Sequence, residues 1–238
     1  MPPTRNRPPG HGRGGHSSSQ PPGADRGLEV RVHSARGRPL ASQLWLRRQL
    51  NDPYVAAAQA QGWRSRAAFK LIELDDRFHL IRPGMRVLDL GAAPGGWSQV
   101  AAARGAATVL GLDLLAVDPM AGARFLQGDF NDPAMPDLLR AELGGAADLV
   151  LSDMAPNTTG HQATDHLRIV ALAEMAAAFA AEVLAPGGAF VTKVFQGGAE
   201  RELLEPLKRR FASVRHAKPP ASRKQSSELY VVAQGFRG

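Results

Sequence analysis

The 238-residue sequence contains no cysteine. This absence excludes disulfide bonds, thiolate catalysis and cysteine-ligated zinc, and it fits a reducing compartment. The chain also lacks an apolar run that could span a membrane, because its longest candidate, residues 169–185, is rich in alanine and is interrupted by Glu174 and Glu182. We therefore expect a cytoplasmic protein without a membrane segment.

The first 40 residues differ in composition from the rest. They hold seven arginines against Asp25 and Glu29, a net charge of +5 out of the total of +7. Seven prolines and seven glycines accompany few apolar side chains, so burial cannot offset the entropy lost on ordering. No apolar segment typical of a secretory signal follows these charges. We predict a disordered basic tail over residues 1–40 and one folded domain over 41–238.

Within residues 41–238, short apolar runs alternate with helical patterns. Apolar residues at successive positions are typical of strands covered on both faces. The alternation predicts a doubly wound α/β sheet, and the closeness of the last two strands predicts an antiparallel hairpin at its edge. The predicted strands are 87–90, 107–112, 125–130, 148–153, 189–195, 211–214 and 228–233. The predicted helices are two short ones before residue 61, then 65–78 with Ser65 as its cap, 97–103, 132–143, 164–184 and 199–210.

A glycine-rich turn, residues 91–96, follows the first of these strands. Glycine permits positive φ and close approach to a ligand, and ligands bind at this end of an open parallel sheet. The G-x-G-x-x-G fingerprint of dinucleotide sites is broken at Ala93, and no Walker motif is present. Asp113 closes the next strand about 20 residues on, where a ribose-binding acid is expected. A ribose site without a pyrophosphate site favours S-adenosylmethionine (SAM); another nucleotide or a purely structural turn are the alternatives.

Several predicted strands carry a charged residue at an end or within an apolar run: Asp113, Asp129, Asp153 and Lys193. A buried charge is costly unless it is paired, and one alone could form a structural ion pair. Several charges at the ligand-binding edge of the sheet instead indicate a functional site.

Other polar residues are less informative by themselves. Lys70 lies at the edge of an apolar helical stripe, which is the pattern of an ordinary solvated lysine. Glu228 only opens the last strand. His161 and His166 are five residues apart and do not share a helix face, so no metal site is predicted.

Seven motifs, in this order, resemble the FtsJ/RrmJ (RlmE) family of SAM-dependent ribosomal RNA ribose 2′-O-methyltransferases. The resemblance covers roughly residues 43–235. The matching blocks are SRAAFKL (65–71), DLGAAPGGWSQ (89–99), DLL (113–115), LQGDF (126–130), SDMAPN (152–157), KVFQG (193–197) and SELYVVA (227–233).

The resemblance implies a Rossmann-like class I methyltransferase fold, with a mostly parallel seven-stranded sheet, an antiparallel edge strand and helices on both faces. The family's catalytic set corresponds to Lys70, Asp153, Lys193 and Glu228, with Lys193 as proton acceptor. The implied SAM contacts are Gly95, Trp97, Asp113, Asp129 and Asp153. The implied substrate is a uridine of 23S ribosomal RNA in the assembled large (50S) subunit. We expect a monomer without a metal ion.

The chemistry of a lysine base agrees with these roles. A ribose 2′-hydroxyl is a poor nucleophile, so its attack on a sulfonium methyl benefits from a base. An exposed lysine, with a pKa of about 10.4, is almost fully protonated at neutral pH. Burial and the nearby cations, Lys70 and the sulfonium, favour the neutral amine of Lys193, whereas carboxylates oppose it. We expect the two acids to act mainly by orienting the amines and the hydroxyl.

A basic segment precedes Glu228. Seven cations occur without an intervening acid: Lys208, Arg209, Arg210, Arg215, Lys218, Arg223 and Lys224. This pattern predicts a phosphate-binding surface beside the site, extended by Arg64 and Arg66, with a solvated basic loop as the alternative.

Two other functions remain open at this point. A related enzyme could modify transfer RNA or an mRNA cap, but a cap pocket needs stacking aromatics and the chain has only three tryptophans and two tyrosines. A non-catalytic RNA-binding assembly factor could keep the fold, although the complete catalytic set argues against it. DNA is excluded as a substrate because the reaction requires a 2′-hydroxyl.

Overall fold

Residues 39–156, 160–196 and 200–238 are described by the computed structural model. The predicted disordered tail lies outside these ranges, apart from Pro39 and Leu40. The strands are β1 (Arg86–Leu90), β2 (Thr108–Asp113), β3 (Arg124–Gln127), β4 (Ala147–Ser152), β5 (Leu184–Phe195), β6 (Phe211–Ala217) and β7 (Glu228–Phe236). The helices are α1 (Leu40–Leu50), α2 (Pro53–Ala60), α3 (Ala67–Phe78), α4 (Gly96–Ala103), α5 (Met135–Leu143), α6 (Gln162–Val183) and α7 (Glu200–Arg210).

The strands form one sheet in the order β3-β2-β1-β4-β5-β7-β6. Strands β1 to β5 pair in parallel, and β7 is antiparallel to both β5 and β6. The strand order reverses between β1 and β4, so the ligand-binding crevice is expected at their carboxyl ends. This arrangement confirms the predicted α/β fold.

Helices cover both faces of the sheet. Leu88 and Leu90 of β1 pack into a core with α5, α6 and α7, whereas Val87 packs on the other face with α3 and α4. Both sets of side chains are fully buried, which explains the continuous apolar runs of the central strands. Among the helices described, none is both long and apolar enough to cross a membrane.

The predicted hairpin at the sheet edge is confirmed, with one difference in strand order. Strand β7 lies between β5 and β6, so the antiparallel strand is one place in from the edge. Residues 230–233 of β7 are almost fully buried, whereas Arg215 and His216 of β6 are exposed. The more polar strand therefore occupies the edge, where it faces solvent.

Some predicted boundaries were wrong. Ser65 does not cap α3, because its hydroxyl makes no hydrogen bond among the residues described and Arg66 occupies the N-cap position. Helix α5 begins at Met135 rather than Asp132, since the Asp132 carboxylate accepts from the amide of Ala134 and closes a turn first. Asp52, by contrast, caps α2 by accepting a hydrogen bond from the amide of Tyr54.

Candidate active site

The turn after β1 approaches the segment after β4 closely. Gly91 has φ 81°, and a Cβ atom there would lie 2.8 Å from the backbone N and Cα of Met154. Its amide donates to the carbonyl of Leu112 over 2.9 Å, which ties the turn to β2. A side chain at position 91 would therefore separate the two segments, and the sequence needs glycine here for both conformation and space.

A cavity of about 610 Å³ opens at this edge of the sheet. Its volume lies within the usual range of small-molecule sites. Three carboxylates contribute to the wall: Asp113, Asp129 and Asp153. Apolar contacts come from side chains such as Leu112, Leu114, Phe130, Met154, Leu172 and Met175.

The acids of this cavity are held by backbone groups. The two oxygens of Asp113 accept from the amides of Ala93 and Leu115, each over 2.9 Å, and each oxygen keeps a lone pair for a ligand hydroxyl. Asp129 accepts from the backbone and side-chain nitrogens of Asn131, and these hydrogen bonds lower the pKa of the Asp129 carboxyl. A cavity with three acids suits SAM, which carries a sulfonium and an ammonium group, better than a pyrophosphate.

Gly95 and Trp97 do not line this cavity. Gly95 has φ 103°, and a Cβ atom there would lie 3.0 Å from Nη1 of Arg64. The Trp97 indole is buried and donates to the carbonyl of Ala67 over 2.8 Å, which ties α4 to α3. Contact of these two residues with the cofactor stays a prediction.

Four charged side chains from distant parts of the chain converge beside the cavity. Nζ of Lys70 on α3 lies 2.8 Å from Oε1 of Glu228 on β7, and 3.8 Å from Oδ2 of Asp153 after β4. Nζ of Lys193 on β5 lies 3.0 Å from Oδ1 of Asp153 and also donates to the Asp153 carbonyl. The structure thus brings all four predicted catalytic residues together, and Asp153 belongs to both the cavity and this cluster.

Tyr230 is a member of this cluster that the sequence reading missed. Its hydroxyl accepts from Nζ of Lys70 over 3.2 Å, and it lies 2.9 Å from Oδ1 of Asp153 and 3.1 Å from Oε1 of Glu228. One hydroxyl proton can reach only one of these two acids at a time. Side chains two apart on a strand share a face, so Glu228 could have pointed to Tyr230.

The electrostatics of the cluster keep the Asp153 carboxylate charged. Burial by itself would raise the pKa of Asp153, but the ammonium groups of Lys193 and Lys70 outweigh it and hold that pKa below its usual value. Burial and the neighbouring carboxylates raise the pKa of Tyr230 well above its usual value. Tyr230 is therefore a neutral hydrogen-bonding group rather than a base.

The basic segment before Glu228 is divided between the two ends of strand β6, which lie at opposite ends of the parallel strands. Because β7 is antiparallel to both β5 and β6, β6 runs in the direction of β5. Residues 208–210 precede the amino end of β6, at the edge away from the catalytic cluster, whereas residues 218–224 follow its carboxyl end. The prediction of a phosphate-binding surface beside the site was therefore wrong for residues 208–210, which lie at the other end of β6.

Several of these cations already have partners within the protein. Lys218 donates to the carbonyls of Lys224 and Ser226, and Arg223 pairs with Asp52 over 3.3 Å. Arg66 also pairs with Asp52, over 3.1 Å. Arg64 donates to three carbonyl oxygens, those of Pro94, Asp118 and Pro119. Apart from residues 208–210, the exposed cations of the basic segment for which no such partner is described here are Arg215 and Lys224.

Histidines and acids do not form a metal site in the part of the chain that the structure describes. No group of three or more His, Asp or Glu side chains there is arranged to hold an ion. His161 instead lies 3.1 Å from the hydroxyl of Thr164.

Comparison with known proteins places this geometry in a family. A family profile described as FtsJ-like methyltransferase matches residues 63–236. The chain is 71% identical to Ribosomal RNA large subunit methyltransferase E of Granulibacter bethesdensis, over 92% of this chain and 95% of that protein. The protein of the same name from Gluconobacter oxydans is 68% identical, with 89% and 79% covered.

A solved structure agrees with these sequence matches. It is described as a ribosomal RNA methyltransferase of Plasmodium falciparum and is 30% identical, with a TM-score of 0.67 over 74% of this chain and 100% of that one. The profile match alone covers well over half of the sequence. The chain belongs to the FtsJ-like methyltransferase family.

Proposed function

We propose that this methyltransferase transfers the methyl group of SAM to a ribose 2′-hydroxyl of large-subunit ribosomal RNA. The observation that carries the proposal is the position of Asp153, which lines the cavity and holds the Lys193 amine beside it. An amine next to the cofactor cavity is where a base for the incoming hydroxyl is needed. We assign the catalytic domain to residues 41–238 and SAM contacts to Gly95, Trp97, Asp113, Asp129 and Asp153.

Lys193 is the proton acceptor in this mechanism. When SAM is bound, it supplies a methyl group activated by its sulfonium charge. To act as the base, Lys193 must first lose one proton of the ammonium form that pairs with Asp153. The resulting amine donates its two N–H groups to the carbonyl and Oδ1 of Asp153 and keeps one lone pair for the hydroxyl proton. Nζ of Lys193 would take the proton of the 2′-oxygen, while bound SAM would supply the methyl group and leave as the neutral thioether S-adenosylhomocysteine. Lys70 and Glu228, paired over 2.8 Å, hold the substrate side of the cluster.

Large-subunit ribosomal RNA is proposed as the substrate because of the relatives. Both bacterial proteins compared above are named for this subunit, and one is 71% identical to the chain. Within that class we propose a uridine of 23S ribosomal RNA in the assembled subunit, modified by a cytoplasmic monomer. Transfer RNA and mRNA caps are alternative substrates, and the small number of aromatic residues weighs against a cap.

An assay with labelled SAM tests the substrate. The acceptors are large subunits lacking the methyl group, free 23S ribosomal RNA, transfer RNA and capped RNA. We expect label in the subunits and at a ribose after nuclease digestion. Label in transfer RNA or cap alone would contradict the substrate, and no label in any acceptor would favour an assembly factor.

The variant Lys193→Arg tests the base. Arginine keeps the positive charge but does not release its proton at workable pH, so kcat should fall at least about 100-fold. SAM binding, followed by calorimetry, should persist. The control is Lys208→Arg, the same exchange at an exposed position on the opposite edge, which should leave kcat unchanged. Near-normal turnover by Lys193→Arg would refute the assignment.

A further inference from the structure

We propose that Ser222 is a positioning residue for Glu228, an inference that rests on the catalytic role proposed above for Glu228. The Ser222 side chain is buried, with 4% of its surface exposed. Its hydroxyl donates to Oε1 of Glu228 over 2.8 Å. Neither the cavity nor the four catalytic residues include this serine, and nothing in the sequence pattern singled it out.

The hydrogen bonds to Glu228 are concentrated on one oxygen. Oε1 accepts from Ser222 and from Nζ of Lys70, each over 2.8 Å, and lies 3.1 Å from the Tyr230 hydroxyl. Within the described ranges, every hydrogen bond to this carboxylate reaches Oε1. The carboxylate is thereby fixed in rotation, and Oε2 is left for a group outside the chain. Ser222 approaches from the loop between β6 and β7, whereas Lys70 approaches from α3 and Tyr230 from β7.

Both neighbours of Ser222 are anchored to α3 or to the N-cap residues of α2 and α3. The amide of Ala221 donates to Oε2 of Glu73 over 2.7 Å, and its carbonyl accepts from the guanidinium of Arg66. On the other side, Arg223 pairs with Asp52 over 3.3 Å, and Asp52 also pairs with Arg66. Ser222 therefore projects from a turn held at the residue before it and at the residue after it, which sets its hydroxyl toward Glu228.

Removal of the Ser222 hydroxyl should misalign the Glu228 carboxylate without disturbing the cofactor site. A hydrogen bond to a charged acceptor is stronger than a neutral one, and its removal lets the carboxylate rotate away from its productive orientation. Ser222 does not line the cavity, so SAM affinity has no reason to change. The expected signature is a lower kcat at unchanged KM for SAM.

Three variants test this signature. Ser222→Ala should lower kcat about tenfold, the effect of one charge-assisted hydrogen bond. Ser222→Thr keeps the hydroxyl and should recover most of that loss. The matched control is Ser227→Ala in the same loop, whose hydroxyl makes no hydrogen bond in the part of the chain described and which should keep wild-type kcat. Wild-type kcat in Ser222→Ala would overturn the proposal.

A double-mutant cycle separates positioning from a general structural effect. If Ser222 acts through Glu228, Ser222→Ala should cause no further fall in kcat in a Glu228→Ala background, measured in single turnover with labelled SAM. The same tenfold fall in both backgrounds would overturn the proposal. Full activity of Glu228→Ala alone would instead refute the catalytic role of Glu228, while an impaired Glu228→Ala beside a fully active Ser222→Ala would refute only the inference about Ser222.

Discussion

Asp89 is a buried acid that the proposed mechanism does not use. It lies in the middle of β1 with no exposed surface, and one oxygen accepts from the Ser98 hydroxyl over 2.7 Å. The other oxygen has no hydrogen-bond partner among the residues described. Burial raises the pKa of Asp89 to about 7, with Asp153 and Asp113 adding to the rise and the Ser98 hydrogen bond opposing it.

This raised pKa makes stability depend on pH. The folded protein binds a proton at Asp89 between the ordinary pKa of 3.8 and about 7, whereas the unfolded chain has lost it, so stability falls as pH rises through this window. The fall is on the order of 4 kcal/mol as an upper limit. Asp89→Asn does not titrate, and urea unfolding at pH 5 and pH 8 should show a smaller difference for it than for the wild type.

A suitable control is Asp137→Asn, because that carboxylate is 86% exposed. It should keep the wild-type difference between the two pH values. If Asp89→Asn also kept it, Asp89 would be ionised in the folded protein and the buried-acid argument would be wrong.

At the scale of elements, α2 is connected to the catalytic cluster although it precedes the residues that the family profile matches. The match begins at residue 63, and α2 ends at Ala60. Asp52 caps α2 and pairs with both Arg66 and Arg223, and its side chain is only 8% exposed. Because Arg223 follows Ser222 directly, this acid fixes the loop between β6 and β7 from outside the profile match.

Asp52→Asn separates the capping of α2 by this residue from its ion pairs with Arg66 and Arg223. Asparagine caps helices about as well as aspartate, so α2 should persist, but both arginines lose their counter-charge. We expect the unfolding free energy to fall by about 1–3 kcal/mol and kcat to fall several-fold at unchanged KM for SAM. The comparison is Glu205→Gln, which removes an exposed partner of Lys208 and should change neither quantity measurably. A less stable variant with wild-type kcat would show that the loop does not depend on Asp52.

The sheet and most of the site could be predicted from the sequence because they depend on local patterns. Continuous apolar runs predicted β1, β2 and β4. The position of Asp113 and Asp153 at the ends of such runs indicated a functional role for both acids. The resemblance, rather than the residue pattern, singled out Lys70 and Glu228. A lysine on a helix and an acid opening a strand look ordinary until the fold brings them within 2.8 Å of each other.

Other features depend on long-range packing that no local pattern encodes. The insertion of β7 between β5 and β6 follows from burial of residues 230–233 on both faces. Ser222 reaches Glu228 only because α2 and α3 hold its neighbours. The cations of the basic segment are close together along the chain, but strand β6 separates residues 208–210 from residues 218–224 in space.

At the scale of the whole molecule, β6 separates two groups of cations. The strand runs from Phe211 to Ala217, and Ala217 pairs with Tyr230 at the catalytic edge. Its seven residues are separated by six steps of about 3.3 Å each, so the strand spans about 20 Å, twice the Debye length at moderate salt. Residues 208–210 therefore cannot share a phosphate with Lys224, and only the cations at the catalytic edge should contribute to binding of RNA in the site.

The salt dependence of RNA binding tests this division. Lys224→Ala and Arg209→Ala each remove one exposed cation, the first beside the catalytic edge and the second at the opposite edge. Each phosphate contact releases about one counterion, so Lys224→Ala should weaken binding of a 23S ribosomal RNA fragment and reduce the slope of log affinity against log salt by about 1. Arg209→Ala should match the wild type in both. Equal losses from the two variants would mean that RNA wraps around the edge strand, and a wild-type affinity that does not change with salt would mean that phosphates contribute little to recognition.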